Sequence, residues 1–487
     1  MIVNEKDVAS WAGAADVIVV GYGIAGVCAA IEAREMGASV LVLERAGGCD
    51  GSTVYSGGLL YLGGGTAVQK ACGFDDSPEA MAAYLNAITD HPDAAKIARL
   101  SAGSADHFDW LEARGVPFNR TYCPEKNLVP PGPDCLMYSG NEKVWPYREI
   151  TPPAPRGHKV AFDGLDGGGG VILERLVEHA ARIGVEARFD MHVDALVTDG
   201  DSVTGVGVRH FGETLFFRAD RGVVLCGGGF GRNGEMMARH AARFDKASIV
   251  GGQYDDGTAI TLGIEAGGAV EHMDGVLLVS SIYPPEGLTK GIFVNRDGKR
   301  FVAEDSYHGT VAQAIVDQPD GIAYLILDSE TFAYPAWYEH ANQRLVDGFA
   351  TIAEMERGLE LPEGSLRKAM ADYNRHATAG EDPEFHKHPD WLKPLDVGPW
   401  AAFDVSWGRA LFYGFTLGGL KISPDGEVLR GNDMPVPGLY AAGASASTIA
   451  HDSRSYLSGI SLAAGSFFGR AAGRHAATQS VGQPARA

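Results

Sequence analysis

The sequence predicts an α/β protein of two lobes that opens on a nucleotide-binding unit. Three observations predict it. The chain has 487 residues, beyond the size at which a single hydrophobic core keeps growing. Residues 16–44 read as strand, glycine turn, helix, strand and acid in unbroken order. The 65 glycines gather in tight loops rather than in a repeat, as close approach of backbone to a ligand requires.

The opening unit carries most of the information. DVIVV at residues 16–20 is a β-branched run that reads as a buried parallel strand. Gly21-Tyr-Gly23-Ile24-Ala25-Gly26 follows at once, a helix is expected over residues 27–36, and Gly37 ends it. SVLVL at residues 39–43 reads as the second strand, closed by Glu44. Gly21 permits the sharp turn, Gly23 lets a pyrophosphate approach the backbone, and Gly26 lets helix and strand pack closely. The helix N-terminus offers N–H groups and a positive dipole to phosphate, and Glu44 can accept from ribose hydroxyls. These features specify a Rossmann-type dinucleotide site without separating FAD from NAD.

Arg45-Ala-Gly-Gly-Cys-Asp-Gly-Ser52-Thr53, then Ser56-Gly57-Gly58, follows, and this stretch resembles the loop that runs under flavin and pyrophosphate in the succinate dehydrogenase and fumarate reductase flavoprotein superfamily. Some members tether FAD through a histidine in this loop; residues 52–58 hold none, so the resemblance implies non-covalent FAD. Residues 168–170 open an apparent helix over 171–183, and residues 186–193 read as one strand whose end, Val193, resembles the adenine contact. GVVLCGGG at 222–229, with Gly227 and Gly228, resembles the strand and turn beneath the cofactor. VPGLYAAG at 436–443, ending in Gly443, resembles the strand that reaches the ribityl chain, although Ala444 stands where that family has an acid. Asp256, Ser461 and Leu462 complete the implied FAD contacts.

The resemblance therefore implies a discontinuous Rossmann-like FAD-binding domain, residues 14–275 and 406–478, with an inserted α+β capping (catalytic) domain over 276–405. Within the insert, residues 361–376 have helical spacing, and 381–400 form a polar, proline-bearing stretch. The last residues, 478–487, read as a frayed end. No second complete dinucleotide fingerprint occurs, so electrons are expected to pass to or from an external, unidentified acceptor or donor.

Two motifs that bind dicarboxylate in fumarate and succinate enzymes are altered. Phe415 stands at the histidine position in Tyr413-Gly-Phe-Thr-Leu-Gly-Gly-Leu420, and Tyr456 stands at the arginine position in Tyr456-Leu-Ser-Gly-Ile-Ser-Leu462. A dicarboxylate there would lose its water without compensation. The latter stretch, with Arg300-Phe-Val-Ala-Glu-Asp-Ser-Tyr307-His-Gly309 and Pro155-Arg-Gly-His-Lys-Val160, resembles the 3-ketosteroid dehydrogenase branch, Δ4-(5α) type. That likeness implies Tyr307, Tyr456 and Ser458 as active-site hydroxyls around a flat ketone. It implies a dehydrogenase, or the reverse reductase, acting on the 4,5 bond of a ketosteroid-like substrate. Which hydroxyl is the base stays open. So do two other readings: a fumarate-reductase-like enoate or Δ1-ketosteroid oxidoreductase, and a non-catalytic flavoprotein sensor or sterol binder. Arg454, just before Tyr456, could reshape the pocket or bind an acidic substituent.

Remaining features exclude classes of function. A net charge of −21 disfavours nucleic acid and anionic membrane as partners. No apolar run is long enough to span a membrane, and the N-terminus does not read as a signal peptide. The six cysteines form no Cys-x-x-Cys pair, Cys28 and Cys226 lie in apolar runs, and a reduced cytoplasmic protein fits best. His386, His388 and Asp390 read as a solvated loop rather than a metal site, Glu304-Asp305 as a polar turn, and His451-Asp452 as no charge relay.

Overall fold

A computed structural model describes residues 1–336 and 343–479. The frayed end expected over 478–487 lies, from residue 480 on, outside the described residues.

A nine-stranded sheet forms the nucleotide-binding lobe, with Gly13–Val20 near its middle, paired in parallel to Val40–Leu43 on one side and to Glu213–Leu225 on the other. Pro435–Ala441 returns from far along the chain to pair in parallel with Glu213–Leu225. Strands buried on both faces need continuous apolar runs, and residues 17–20 and 40–43 supply them. The first helix spans Ile24–Glu35, three residues earlier than expected, because Gly23 itself serves as N-cap and the fingerprint's last glycine lies inside the helix. The single strand expected over 186–193 is two strands. Asp190, at φ 57°, breaks the run between Glu186–Arg188 and His192–Asp199, which join opposite sides of the sheet. The helix expected over 361–376 runs Ser365–Thr378, since Gly364 in the left-handed region caps it.

The C-terminal helix, Ile460–Thr478, lies directly against Ile24–Glu35. A Cβ on Gly469 would overlap the Ala25 carbonyl, and one on Gly473 would overlap that of Ala29, so the two backbones touch. Glu32, buried between them, receives Arg470 at 3.0 Å and also Arg474.

Within the intervening chain, Ile292–Asn295, Ala323–Leu327, Trp400–Asp404 and Arg344–Phe349 form an antiparallel four-stranded sheet in that order. Alternation sends Ile292, Val294, Tyr324 and Ile326 to one face, against Met355, Leu366 and Met370. Phe293, Leu325 and Leu327 face the other way, against Val311, Ala312 and Ile315 of the helix His308–Val316. A small sheet of Ser248–Ile249, Tyr413–Thr416 and Val276–Val279 links this segment to the main lobe.

Glu304 lies in the expected turn, but it is buried there as an ion-pair centre. Arg300 grips both Glu304 oxygens at 3.1 and 2.9 Å and both Asp382 oxygens at 3.0 and 2.9 Å, while Lys387 Nζ reaches Glu304 at 3.2 Å. Burial acts to raise the Glu304 pKa, but Arg300 and Lys387 outweigh it and hold the carboxyl below its ordinary range. Removing Glu304 takes from the buried Lys387 its 3.2 Å ion pair and leaves the buried Arg300 with Asp382 alone at close range. Glu304→Ala is therefore expected to lower unfolding free energy by about 3–5 kcal/mol in urea titration. Glu384→Ala, which removes the exposed carboxylate 3.7 Å from Arg300, should cost less than about 1 kcal/mol. Equal losses in the two variants would contradict this account.

Candidate functional site

One cavity of about 550 Å³ runs between the glycine turn and the intervening segment. Gly21, Gly23, Ile24, Ala25, Glu44, Arg45, Ser52, Thr53, Ser56, Gly57, Val193, Gly227, Gly228, Asp256, Gly443, Ser461 and Leu462 all line it. Tyr307, Tyr456 and Ser458 line the same cavity. Two residues expected to touch a cofactor do not line it. Gly26 lies behind the turn, where a Cβ would overlap the Gly21 carbonyl. Gly58 is packed on Gly168, whose carbonyl carbon a Cβ would approach to 2.5 Å. Both glycines serve packing of backbone on backbone.

The turn leaves room for a phosphate group. Gly21 sits at φ 97°, in the left-handed region that glycine adopts without strain. Gly23 caps the helix with no side chain, and a Cβ there would meet only Thr53 Oγ1, at 3.3 Å. The space before Gly23 is thus a cradle that protein does not fill. Ile24 N–H donates to Thr53 Oγ1 at 3.1 Å, and the helix dipole points at the opening. Glu44 is aimed by the N–H groups of Tyr22, at 2.7 Å, and Ala46, at 2.8 Å. Its burial raises its pKa against those hydrogen bonds. Asp256 is engaged by protein: Arg45 Nη1 donates to it at 2.6 Å and Thr258 Oγ1 at 2.6 Å. Arg45 also covers the Tyr254 ring at 4.4 Å. Ser52 donates to the half-buried Asp255 at 2.5 Å, joining loop 51–53 to loop 251–255. The donor set fits the adenosine and pyrophosphate of a dinucleotide.

The hydroxyl wall comes from two distant stretches of chain. Tyr307 precedes the helix His308–Val316, and its OH meets Ser458 Oγ at 3.0 Å. Tyr456 follows a tight turn in which Asp452 Oδ1 accepts from Ser455 N–H at 2.8 Å and Ser455 Oγ at 2.8 Å. Ser453 fastens that turn to Val276–Val279 through bonds to Val276 O and Leu278 N–H, both at 2.8 Å. Phe415 meets the Tyr456 ring edge-on, centroids 5.6 Å apart. Burial pushes Tyr456 up to about 12, opposed by Ser461, and raises Tyr307 well above its ordinary value. Both phenols are neutral donors at neutral pH. His308, against the Tyr307 ring, is pushed down to about 3 by burial and by Lys126, so it too is neutral.

Arg454 does not enter the pocket. It is exposed and pairs with Asp317, which also takes Arg243, so it clasps the turn to the end of the helix His308–Val316. His451 and Asp452 form no pair: His451 stacks on His272 at 3.6 Å, while Asp452 closes the turn. His386 lies over Trp145, and His388 accepts from Asp390 N–H. Among the described residues lining the cavity, Arg45 is the one arginine and no lysine occurs. Sequence reasoning missed Leu128, Val129 and His308 as lining residues. Only His308, beside Tyr307, was near a motif.

The FAD binding domain family matches residues 16–462. This chain belongs to that family. It binds FAD and is an FAD-dependent oxidoreductase. It is similar to the crystal structure of 3-ketosteroid-Δ4-(5α)-dehydrogenase from Rhodococcus jostii RHA1 in complex with 4-androstene-3,17-dione, at 41% identity over 98% of this chain and 99% of that one, with TM-score 0.92. It is 29% identical to the 3-oxo-5-alpha-steroid 4-dehydrogenase of Comamonas testosteroni, over 91% of this chain and 94% of that protein. The structure of 3-ketosteroid Δ1-dehydrogenase from Sterolibacterium denitrificans shares the fold, at 20% identity, 95% and 99% coverage and TM-score 0.70. No helix among the described residues is long and apolar enough to cross a membrane.

Gly23→Val should abolish FAD binding while leaving the fold intact, because Thr53 Oγ1, at 3.3 Å, is the one protein atom its Cβ would meet and the rest of the side chain would occupy the cradle. Absence of flavin absorbance with unchanged circular dichroism is the expected result; a yellow variant would refute the assignment of the cradle. Heat or acid should release all flavin from the wild-type protein, and flavin retained by the precipitate would disprove non-covalent binding.

Proposed function

We propose that the protein oxidises a saturated 3-oxosteroid across carbons 4 and 5, or runs the same reaction in reverse with an external electron partner. The observation that carries this reading is the hydroxyl wall: Tyr307, Tyr456 and Ser458 share one cavity with the cofactor turn, and among the described residues lining that cavity Arg45 is the one arginine and no lysine occurs. The likeness to the Rhodococcus enzyme supports it. The segment holding the four-stranded sheet serves as the capping domain in this reading. The free cysteines support a reducing compartment, the cytoplasm.

The chemistry follows from the groups present. A ketone acidifies the neighbouring carbon–hydrogen bond, and a donor on its oxygen stabilises the charge that develops there. Tyr456, a neutral phenol in an apolar wall, takes that place. The hydrogen-bonded hydroxyls of Tyr307 and Ser458 carry the proton to or from carbon 4. When bound, FAD supplies the hydride acceptor in one direction and the hydride donor in the other. Phe415 and Leu277 give the cavity apolar surface for a flat hydrocarbon skeleton. Among the described residues lining the cavity, a dicarboxylate would meet no arginine beside Tyr456.

Anaerobic mixing tests the substrate class. Oxidised enzyme should bleach with a saturated 3-oxo-5α-steroid and yield the 4,5-unsaturated ketone. Reduced enzyme reoxidised by fumarate and by no steroid would defeat the proposal. Tyr456→Phe and Tyr307→Phe each keep ring packing and remove one oxygen. Each should lower kcat by about a hundredfold, the scale of one oxyanion or acid–base group, with stability and flavin spectrum unchanged. Wild-type single-turnover rates in both variants would remove these phenols from the chemistry.

A further inference from the structure

The two hydroxyl-bearing residues that meet at 3.0 Å, Tyr307 and Ser458, are 151 positions apart and are carried by different parts of the fold. One short segment, Ser139-Gly140-Asn141, is bonded to both. Ser139 O accepts the Ser458 N–H at 2.9 Å, and Ser139 Oγ donates to Ser458 O at 3.1 Å. Asn141 Oδ1 accepts the Tyr307 N–H at 2.6 Å. The Asn141 side chain is itself fixed, since its Nδ2 donates to Thr310 Oγ1 at 3.0 Å, one turn into the helix that follows Tyr307. Its backbone N–H donates to Tyr84 OH at 2.8 Å. Ser139 and Asn141 are buried, and Gly140 between them leaves no room for a side chain, since a Cβ would overlap Leu457 and stand 2.9 Å from Tyr84 OH.

From this geometry we propose that Asn141 is a positioning residue for the reaction: its carboxamide sets Tyr307 against Ser458. The proposal rests on the reading of Tyr307 and Ser458 as the proton-carrying pair. Tyr307 is the N-cap of His308–Val316, so its own N–H lies outside the helical ladder and must find another partner. Asn141 supplies that partner with one end of its amide and holds the first helical turn with the other. The carboxamide thus fixes where the helix begins, and so where the Tyr307 ring enters the cavity. Ser139 fixes Ser458 by backbone and side chain together. The segment therefore works as a gauge between the two hydroxyls. Without the carboxamide, the Tyr307 N–H is left buried and unpaired, and the residue shifts to relieve it.

The test is a double-mutant cycle on the FAD-loaded enzyme with a 3-oxo-5α-steroid, read as kcat and KM separately. Asn141→Ala should lower kcat by about ten- to a hundredfold, the scale of a sub-ångström misplacement, with KM and flavin absorbance nearly unchanged. In a Tyr307→Phe background the same change should cost less than about twofold, because the hydroxyl it positions is already gone. Equal losses in both backgrounds would show a general structural role and overturn the proposal, as would wild-type turnover in Asn141→Ala. If Asn141→Ala does not accumulate, Thr310→Val frees the carboxamide while sparing its backbone bonds. It should lower kcat severalfold only when Tyr307 is present, and wild-type turnover there would overturn the proposal too. A wild-type rate in Tyr307→Phe alone would strike the underlying reading of the pair. A slow Tyr307→Phe with additive Asn141→Ala strikes the positioning claim alone.

Discussion

The contact between the helices Ile24–Glu35 and Ile460–Thr478 is the constraint on which the rest depends. Gly469 and Gly473 let the C-terminal helix lie with its backbone on Ala25 and Ala29. Glu32 locks the crossing through Arg470 and Arg474. Burial raises the Glu32 pKa, yet the two guanidinium groups outweigh it and keep the carboxyl ionised. Because the crossing is close and paired, the start of the C-terminal helix is held at the same cavity as the glycine turn. Ser461, Leu462 and Gly465 line that cavity, and Tyr456 and Ser458 immediately precede the helix. The residues proposed for chemistry are therefore placed by the element that grips the cofactor helix.

Several of the charges the molecule buries lie outside the cavity that holds the hydroxyl wall. Arg156 pairs with Asp76 at 2.7 Å, and Arg300 sits between Glu304 and Asp382. Lys159 donates to four backbone carbonyls, of Pro130, Gly132, Phe162 and Gly164, at 2.6–2.8 Å. Each cation has its partners fixed within protein, as burial demands. None of them lines the cavity. The wall beside Tyr456 consequently offers hydroxyl donors and aromatic edges, an environment suited to a ketone on an apolar skeleton and hostile to a dianion.

Where expectation and structure part, the cause is tertiary. Arg454 lies two residues before Tyr456, and proximity in sequence put it in the pocket. The Asp452 turn rotates it outward, and Asp317 receives it. The burial of Glu304 was not legible because Lys387, which pairs with it, and Asp382, which shares Arg300 with it, are about eighty residues away. The strand over 186–193 looked continuous because alternation does not register a left-handed residue such as Asp190.

The sequence by itself determined the nucleotide-binding unit. Its signals are local: a β-branched run, glycines at fixed spacing, a helix and an acid at the next strand end all act within thirty residues. The altered positions Phe415, Tyr456 and Ser458 were also legible, because the motifs around them are short and contiguous. Only the tertiary structure decided which hydroxyls meet. The Tyr307–Ser458 bond, the Asn141 carboxamide on the Tyr307 N–H and the helix crossing at Gly469 join residues more than a hundred positions apart. Such pairings leave no periodicity in a single chain, since they are fixed by packing of whole elements rather than by spacing along one.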